Sequence, residues 1–170
     1  MLVGKSYDST TVYKTITSVD TTSCTVSGLP AGAERYVQIK ANYVYTSSYD
    51  GSQTEYDTSM GSLSYAKTVP GAVSGLKQDR WYYFALSFDA KWNAIDSADG
   101  YQWICYKDSG KKFKSGTSYA SSSPSASVRN IKNTQIYKMK VRAYIEVDGK
   151  KYYGAWSPYS YFFTQPRVTK

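Results

Sequence analysis

Apolar and polar side chains alternate with a period of two along two stretches in the second half of the chain. Residues 86–92 read Leu-Ser-Phe-Asp-Ala-Lys-Trp, and residues 137–143 read Tyr-Lys-Met-Lys-Val-Arg-Ala. Because successive side chains of a strand point to opposite faces, each stretch predicts a β-strand with one buried and one exposed face. No window shows the periodicity of a long amphipathic helix. The chain is therefore predicted to be all-β.

The chain is predicted to contain two parts that meet near a Val-Pro-Gly segment at residues 69–71. Turn-forming residues followed by a short apolar alternation are typical of a linker that leads into a first strand. The total of 170 residues is also more than the roughly 100 residues of one β-sandwich domain. We therefore expect a complete domain at residues 69–170 and an incomplete unit at residues 1–68.

The second part resembles the fibronectin type III family over roughly residues 69–166. Trp92, Tyr101 and Tyr137 stand in the order of that family's strand-B tryptophan, strand-C tyrosine and strand-F tyrosine. Asn130-Ile131 ahead of Tyr137 is similar to the family's tyrosine corner, in which the phenol reaches back to the preceding backbone. The resemblance implies an immunoglobulin-like β-sandwich, and we expect Trp92, Tyr101, Trp103 and Tyr137 in its core.

Residues 1–68 repeat the later part of this pattern at a constant separation of 102 residues, which places Leu29 on Ile131. At that offset Met1 corresponds to Trp103, so counterparts of strands A, B and most of C are expected to be missing. The last strand is predicted at about residues 61–67. One apolar sheet face would then be uncovered, and we predict that another copy of the chain or an upstream segment covers it.

The tyrosine corner of the first part has two possible outcomes. The residue aligned with Tyr137 is Arg35, and the candidate tyrosine, Tyr36, comes one position later. A one-residue slip sends a side chain to the opposite face of a sheet. Either a bulge restores Tyr36, or this unit has no tyrosine corner.

The chain has no histidine, which argues against the commonest general base, the Ser-His and Cys-His nucleophile pairs and most zinc sites. The carboxylates that lie close in sequence fall at turns or alternate outward, so turn formation and solubility explain them. No nucleotide-binding or calcium-binding motif occurs. We expect no enzyme, no catalytic residue, no cofactor and no metal.

A cationic strand face precedes an aromatic segment, Trp156-Ser157-Pro158-Tyr159-Ser160. The segment resembles a degenerate Trp-Ser-x-Trp-Ser box of the cytokine-receptor members of the family, with Tyr159 in place of the second tryptophan. Pairing of strands F and G in that family implies that Trp156 and Tyr159 lie over Lys140 and Arg142. We interpret these four residues as a structural cation–π ladder, with ligand contact as the alternative.

The positive charge of the chain lies in its second half. Residues 1–70 carry 5 basic and 6 acidic side chains, whereas residues 71–170 carry 16 and 7. A possible ligand surface for an anionic polymer consists of loop lysines, and two aromatic residues predicted to point outward could stack on sugar rings. These residues are Lys111, Lys112, Lys114, Lys150, Lys151, Trp81 and Tyr83. The alternative is a solvated surface that discourages aggregation of sheet edges.

Cys24 and Cys105 fall in different parts, so buried unpaired thiols or a disulfide to another chain are the two interpretations. Free cysteines and the absence of disulfide spacing favour a bacterial source. No apolar run suits a membrane span, and no nucleic-acid motif occurs.

The family resemblance implies a structural, adhesive or spacer module of a larger extracellular or cell-surface protein, whose partners are proteins or polysaccharides. The alternative is a module that binds carbohydrate or an anionic wall polymer.

Overall fold

The computed structural model describes residues 1–6, 8–18, 20–82 and 86–164. Every regular element among them is a β-strand, which confirms the all-β fold predicted from the alternation. The chain divides into two compact units, Met1–Thr68 and Val69–Lys170.

The first unit contains one four-stranded antiparallel sheet and one separate hairpin. Its strands are β1 (Leu2–Gly4), β2 (Thr10–Val12), β3 (Glu34–Gln38), β4 (Asn42–Thr46), β5 (Gln53–Asp57) and β6 (Ser64–Lys67). The sheet has the order β2-β1-β3-β6, and β4 pairs with β5 alone. The predicted last strand is therefore present, but it begins at Ser64.

The second unit contains two antiparallel sheets. Its strands are β7 (Lys77–Tyr82), β8 (Ser87–Lys91), β9 (Gly100–Lys107), β10 (Lys112–Tyr119), β11 (Ser125–Arg129), β12 (Ile136–Val147), β13 (Lys150–Tyr153) and β14 (Ser160–Phe163). One sheet has the order β11-β8-β7, and the other has the order β10-β9-β12, with β13 and β14 both paired to β12. The last described strand, β14, is only four residues long, and β13 precedes it.

The hydrophobic core of the second unit lies between its two sheets. The strands that line it present their apolar residues at alternate positions, as period-two sequences require. The core includes Phe88, Ala90, Trp92, Tyr101, Trp103, Cys105, Val128, Ile131, Tyr137, Met139, Val141, Ala143 and Phe162. Phe88 stacks on Phe162 with ring centroids 4.7 Å apart. This arrangement confirms the fibronectin type III-like β-sandwich that the sequence predicts.

Two buried tyrosines of this core use their hydroxyl groups to hold neighbouring loops. The Tyr137 hydroxyl accepts a hydrogen bond from the backbone N–H of Lys132 at 2.9 Å, which is the geometry of a tyrosine corner. The Tyr101 hydroxyl accepts one from the backbone N–H of Ile95 at 2.8 Å. Both phenols are therefore satisfied although both rings are fully buried.

The connection from β7 to β8 corrects two predictions about alternation. Leu86 has a φ of 44° and is exposed, so it belongs to the turn and not to the buried face. Trp81 packs against the core, opposite Phe88, whereas Tyr82 is exposed. The prediction had Trp81 pointing outward. It was wrong because a period of two does not continue through a turn, and because β7 also contains a register shift between Gln78 and Arg80.

The sheet of the first unit repeats the register of the larger sheet of the second unit. Leu2 pairs with Gln38 and Val3 with Val37, while 102 residues later Ile104 pairs with Lys140 and Cys105 with Met139. The strand β1 thus corresponds to β9, and β3 corresponds to β12. No strand among the described residues of the first unit corresponds to β7, β8 or β11.

The described residues of the first unit form no tyrosine corner. Arg35 and Val37 alternate with Tyr36 along β3, and no irregularity interrupts its pairing with β1. Tyr36 lies on the opposite face, where its ring meets Tyr65 with centroids 5.6 Å apart. Of the two outcomes the sequence allowed, the structure therefore has the one without a bulge, and Arg35 stands where the second unit has Tyr137.

Candidate functional site

The outer face of β12 supplies the cations of the proposed ladder. Tyr137, Met139 and Val141 are fully buried, so their neighbours Lys138, Lys140 and Arg142 lie on the opposite face, where they are half-buried. Alternation along one strand therefore places three cations in a row. The spacing along a strand brings each within reach of aromatic rings on neighbouring strands.

The segment between β13 and β14 supplies the central ring. Tyr153 pairs with Tyr144 and Ser160 pairs with Met139, so the strand opposite β12 holds two more residues than β12 does over this interval. We call this segment a bulge, because its extra residues leave the pairing with β12, and Pro158 has no N–H to continue the ladder of backbone hydrogen bonds. The buried Ser157 anchors the bulge.

Ser157 makes two hydrogen bonds to the backbone of Val141. Its N–H donates to the Val141 carbonyl at 2.8 Å, and its hydroxyl oxygen accepts from the Val141 N–H at 3.0 Å. The side chain therefore replaces the backbone acceptor that the bulge removes. Its neighbour Trp156 is consequently held over the outer face of β12.

Cations and rings alternate over this face. The Arg142 guanidinium carbon lies 3.9 Å from the Tyr153 ring centroid and 4.4 Å from that of Trp156. The Lys140 Nζ lies 4.7 Å from the Trp156 centroid and 5.5 Å from that of Tyr159. Lys138 Nζ follows, 5.3 Å from the Tyr159 centroid. We call these six residues the ladder: Tyr153, Arg142, Trp156, Lys140, Tyr159 and Lys138.

Two residues that support the ladder were not identified from the sequence. Gln102 Oε1 accepts a hydrogen bond from Arg142 Nε at 2.8 Å, and the Tyr106 ring lies edge-on to Tyr159 with centroids 5.9 Å apart. Both residues lie on β9 and project on the same face as the cations of β12. Gln102 pairs with Arg142, and Tyr106 pairs with Lys138. Only the register between β9 and β12 indicates this, because alternation alone says nothing of cross-strand partners.

The structure separates the two lysine groups of the predicted ligand surface. Lys111, Lys112 and Lys114 lie at the β9–β10 turn, next to the end of β12 that pairs Tyr137 with Lys107. Lys150 and Lys151 begin β13 at the other end of β12. Because several residues of β12 at about 3.3 Å each lie between them, the two groups form distinct patches.

The lysines that flank each turn also contact rings. Lys107 Nζ and Lys114 Nζ each lie 5.8 Å from the Phe113 centroid. Lys150 Nζ lies 5.2 Å from that of Tyr152. Lys151 Nζ lies 4.4 Å from the Tyr144 centroid, and a hydrogen bond with the Tyr144 hydroxyl raises the pKa of Lys151. Both patches therefore combine cations with aromatic rings.

The predicted sugar-stacking pair does not form an exposed platform in the described residues. Trp81 is only partly exposed and packs against the core. Tyr83, its predicted partner, lies outside the described residues. The prediction of an outward Trp81 fails for the reason given for the β7–β8 connection.

The first unit contains an apolar cleft between its sheet and residues 23–29. Its volume is about 200 Å³, and Arg35 and Lys67 are the charged residues among its lining. The apolar lining residues are Val3, Val26, Leu29, Ala33, Val37 and Ala66. In the second unit the corresponding face contacts the sheet β11-β8-β7.

Neither cysteine forms a disulfide. Cys105 is fully buried, and this burial raises the pKa of its thiol to about 12. Cys24 is partly exposed.

Within the described ranges there is no cluster of three or more metal-ligating side chains. No helix in this part of the chain has the length and apolar character that a membrane span requires.

No protein-family model matches the sequence, and no curated protein matches it. Several solved structures are similar in fold. A structure described as "Myokine structure" has a TM-score of 0.47 at 16% identity, over 57% of this chain and 99% of that chain. The FN1-FN3 domains of chicken CNTN1 have a TM-score of 0.46 at 15% identity, and the match covers 81% of this chain and 43% of that chain. Domains d3-d4 of rat CD45 have a TM-score of 0.44 at 18% identity, and the match covers 94% of this chain and 79% of that chain.

Proposed function

We propose that this chain is a structural or adhesive module of a larger extracellular or cell-surface protein, in which the second unit acts as a rigid spacer. The observation that supports this most directly is the ladder. It spans β12, β13 and the bulge before β14, and Gln102 and Tyr106 of β9 support it. The ladder so ties the outer face of one sheet together while the core closes its inner face. Both faces of that sheet are thereby stabilised.

The ladder contacts favour a mechanical role over ligand contact. Each cation of the ladder faces one to three rings of the same chain, and each exposed contact of this kind contributes about 0.5–1 kcal/mol. A ligand would have to displace these contacts to reach the rings. A spacer, in contrast, gains from them in every state of the parent protein.

Single-molecule force spectroscopy of the full chain tests the spacer function. We expect one cooperative unfolding event for the second unit, and a lower unfolding force in Trp156→Ala. Tyr119→Ala is the matched control, because Tyr119 is 90% exposed. A glycan array probed with the same protein at low and moderate salt should give no selective ligand. Strong selective binding that is lost in Trp156→Ala would contradict the proposal.

Binding of an anionic polymer is the second candidate function. Lys111 and Lys112 are exposed, and within the described residues neither they nor Lys114 form an ion pair with an acidic side chain. Their charges are therefore available to an anionic wall polymer or polysaccharide. Lys111 precedes β10, and Lys112 and Lys114 lie at its start, so the three charges are close together along the chain.

Heparin chromatography distinguishes this candidate from the spacer. Replacement of Lys111, Lys112 and Lys114 by Gln should lower the salt concentration at which the protein elutes, because the attraction is screened by salt. The control replaces Lys150 and Lys151 by Gln at the opposite end of the sheet. Equal shifts per charge removed in both variants would indicate attraction to net charge and would contradict a specific patch.

A further inference from the structure

The sheet face that lines the cleft of the first unit corresponds to a sheet face of the second unit that is covered by another sheet. Val3 and Val37 line it, and the residues in the same register of the second unit are Cys105 and Met139, which are fully buried. What buries them includes the sheet β11-β8-β7. The repeat within this chain therefore indicates what kind of element fits the cleft.

The segment at residues 23–27 corresponds to β11 but forms no strand. At the constant separation of 102 residues, Val26 stands for Val128, and Val128 pairs with Phe88 of β8. In the first unit no strand of the described residues occupies the position of β8. Because a strand exists only when its backbone is paired, residues 23–27 lack the partner that would make them one.

The charged lining of the cleft distinguishes its occupant from β8 itself. Phe88 lies against Tyr137 with ring centroids 6.0 Å apart, and Arg35 takes the place of Tyr137 in the first unit. The Arg35 guanidinium donates to the Glu34 carbonyl at 2.6 Å, and no carboxylate pairs with it among the described residues. A carboxylate at the position of Phe88 would give the Arg35 guanidinium an ion-pair partner.

We propose that the cleft binds an extended polypeptide segment, a β-hairpin whose apolar residues alternate as in β7 and β8 and whose carboxylate side chain faces Arg35. The hairpin pairs its backbone with residues 23–27 and buries its apolar side chains against Val3, Val37 and Leu29. A second copy of the chain fits less well. A twofold contact between two such faces would bring two Arg35 side chains into one apolar interface, where like charges are costly.

The experiment uses the full chain and two fluorescein-labelled synthetic peptides. One has the sequence of residues 69–92, and the other carries Phe88→Glu in the same sequence. Fluorescence anisotropy should show that the Phe88→Glu peptide binds roughly tenfold more tightly than the unmodified peptide, because its carboxylate meets Arg35. Lys14→Gln, which removes an exposed charge of the same unit, should leave both dissociation constants unchanged.

The Arg35→Tyr variant places the binding at the cleft. In that variant the preference should reverse, and the unmodified peptide should bind more tightly than the Phe88→Glu peptide. Far-ultraviolet circular dichroism checks that the variant folds, and the peptide comparison on the unsubstituted chain holds even where it does not. Equal binding of both peptides, binding of neither at millimolar concentration, or sedimentation of the chain alone as a dimer would overturn the proposal.

Discussion

The backbone N–H of Lys132 donates a hydrogen bond to the hydroxyl oxygen of Tyr137, 2.9 Å away. This bond fixes the turn that leads into β12, and the ring that makes it is fully buried between the two sheets. In the first unit Arg35 stands in the register position of Tyr137, and no such bond forms. The same register position thus holds a corner tyrosine in the closed sandwich of the second unit and an arginine in the first unit.

Tyr137→Phe should destabilise the second unit. The variant keeps the ring but leaves the Lys132 N–H without its acceptor, which costs about 1–3 kcal/mol in the free energy of unfolding. Urea unfolding followed by circular dichroism measures the loss. Tyr161→Phe is the control, since Tyr161 is 57% exposed. Equal stabilities for the two variants would mean that the hydrogen bond contributes nothing.

Trp156→Ala should also lower stability, by about 1–2 kcal/mol. The indole faces both Lys140 and Arg142, and each exposed contact contributes about 0.5–1 kcal/mol. Thermal unfolding at low and high salt measures the effect, and Tyr119→Ala provides the comparison. If Trp156→Ala melted with the unsubstituted chain, the ladder would not support the fold.

Cys105 predicts how stability responds to alkaline pH. Burial raises the pKa of its thiol from an ordinary value near 9 to about 12, so the folded state retains a proton that the unfolded state releases. The stability from this group is complete below pH 9 and falls as the pH rises from there toward 12. Urea midpoints between pH 8 and pH 11 should therefore fall more steeply for the unsubstituted chain than for Cys105→Ala. Parallel curves would contradict the assigned burial.

The alternation of side chains predicted the core of the second unit because its strands are regular. Phe88 and Ala90 on β8, and Tyr137 through Ala143 on β12, are buried at every second position. The same rule failed at Leu86 and Trp81. A positive φ at Leu86 and a register shift in β7 change which alternate residues face the core. Neither feature can be recognised from the alternation of residues in the sequence.

The residues of the ladder were predicted in part for a similar reason. Lys140 and Arg142 follow from alternation on β12, and Trp156 and Tyr159 follow from the resemblance of their segment to a known box. Tyr153 was missed because its reach to Arg142 depends on the bulge that follows β13. The separation of the two lysine patches likewise depends on strand direction and length, which no local motif encodes.

Hydrogen–deuterium exchange of the full chain, resolved by peptide mass spectrometry, tests the central claim most directly. That claim is that a closed sandwich in the second unit buries Trp92, Tyr101 and Tyr137, whereas the first unit exposes one face of its sheet. Amides of β9 and β12 should exchange only through global unfolding, and those of residues 23–27 should exchange at close to the rate of free peptide. Rapid exchange throughout β9 and β12, or strong protection of residues 23–27 in the isolated chain, would contradict the account.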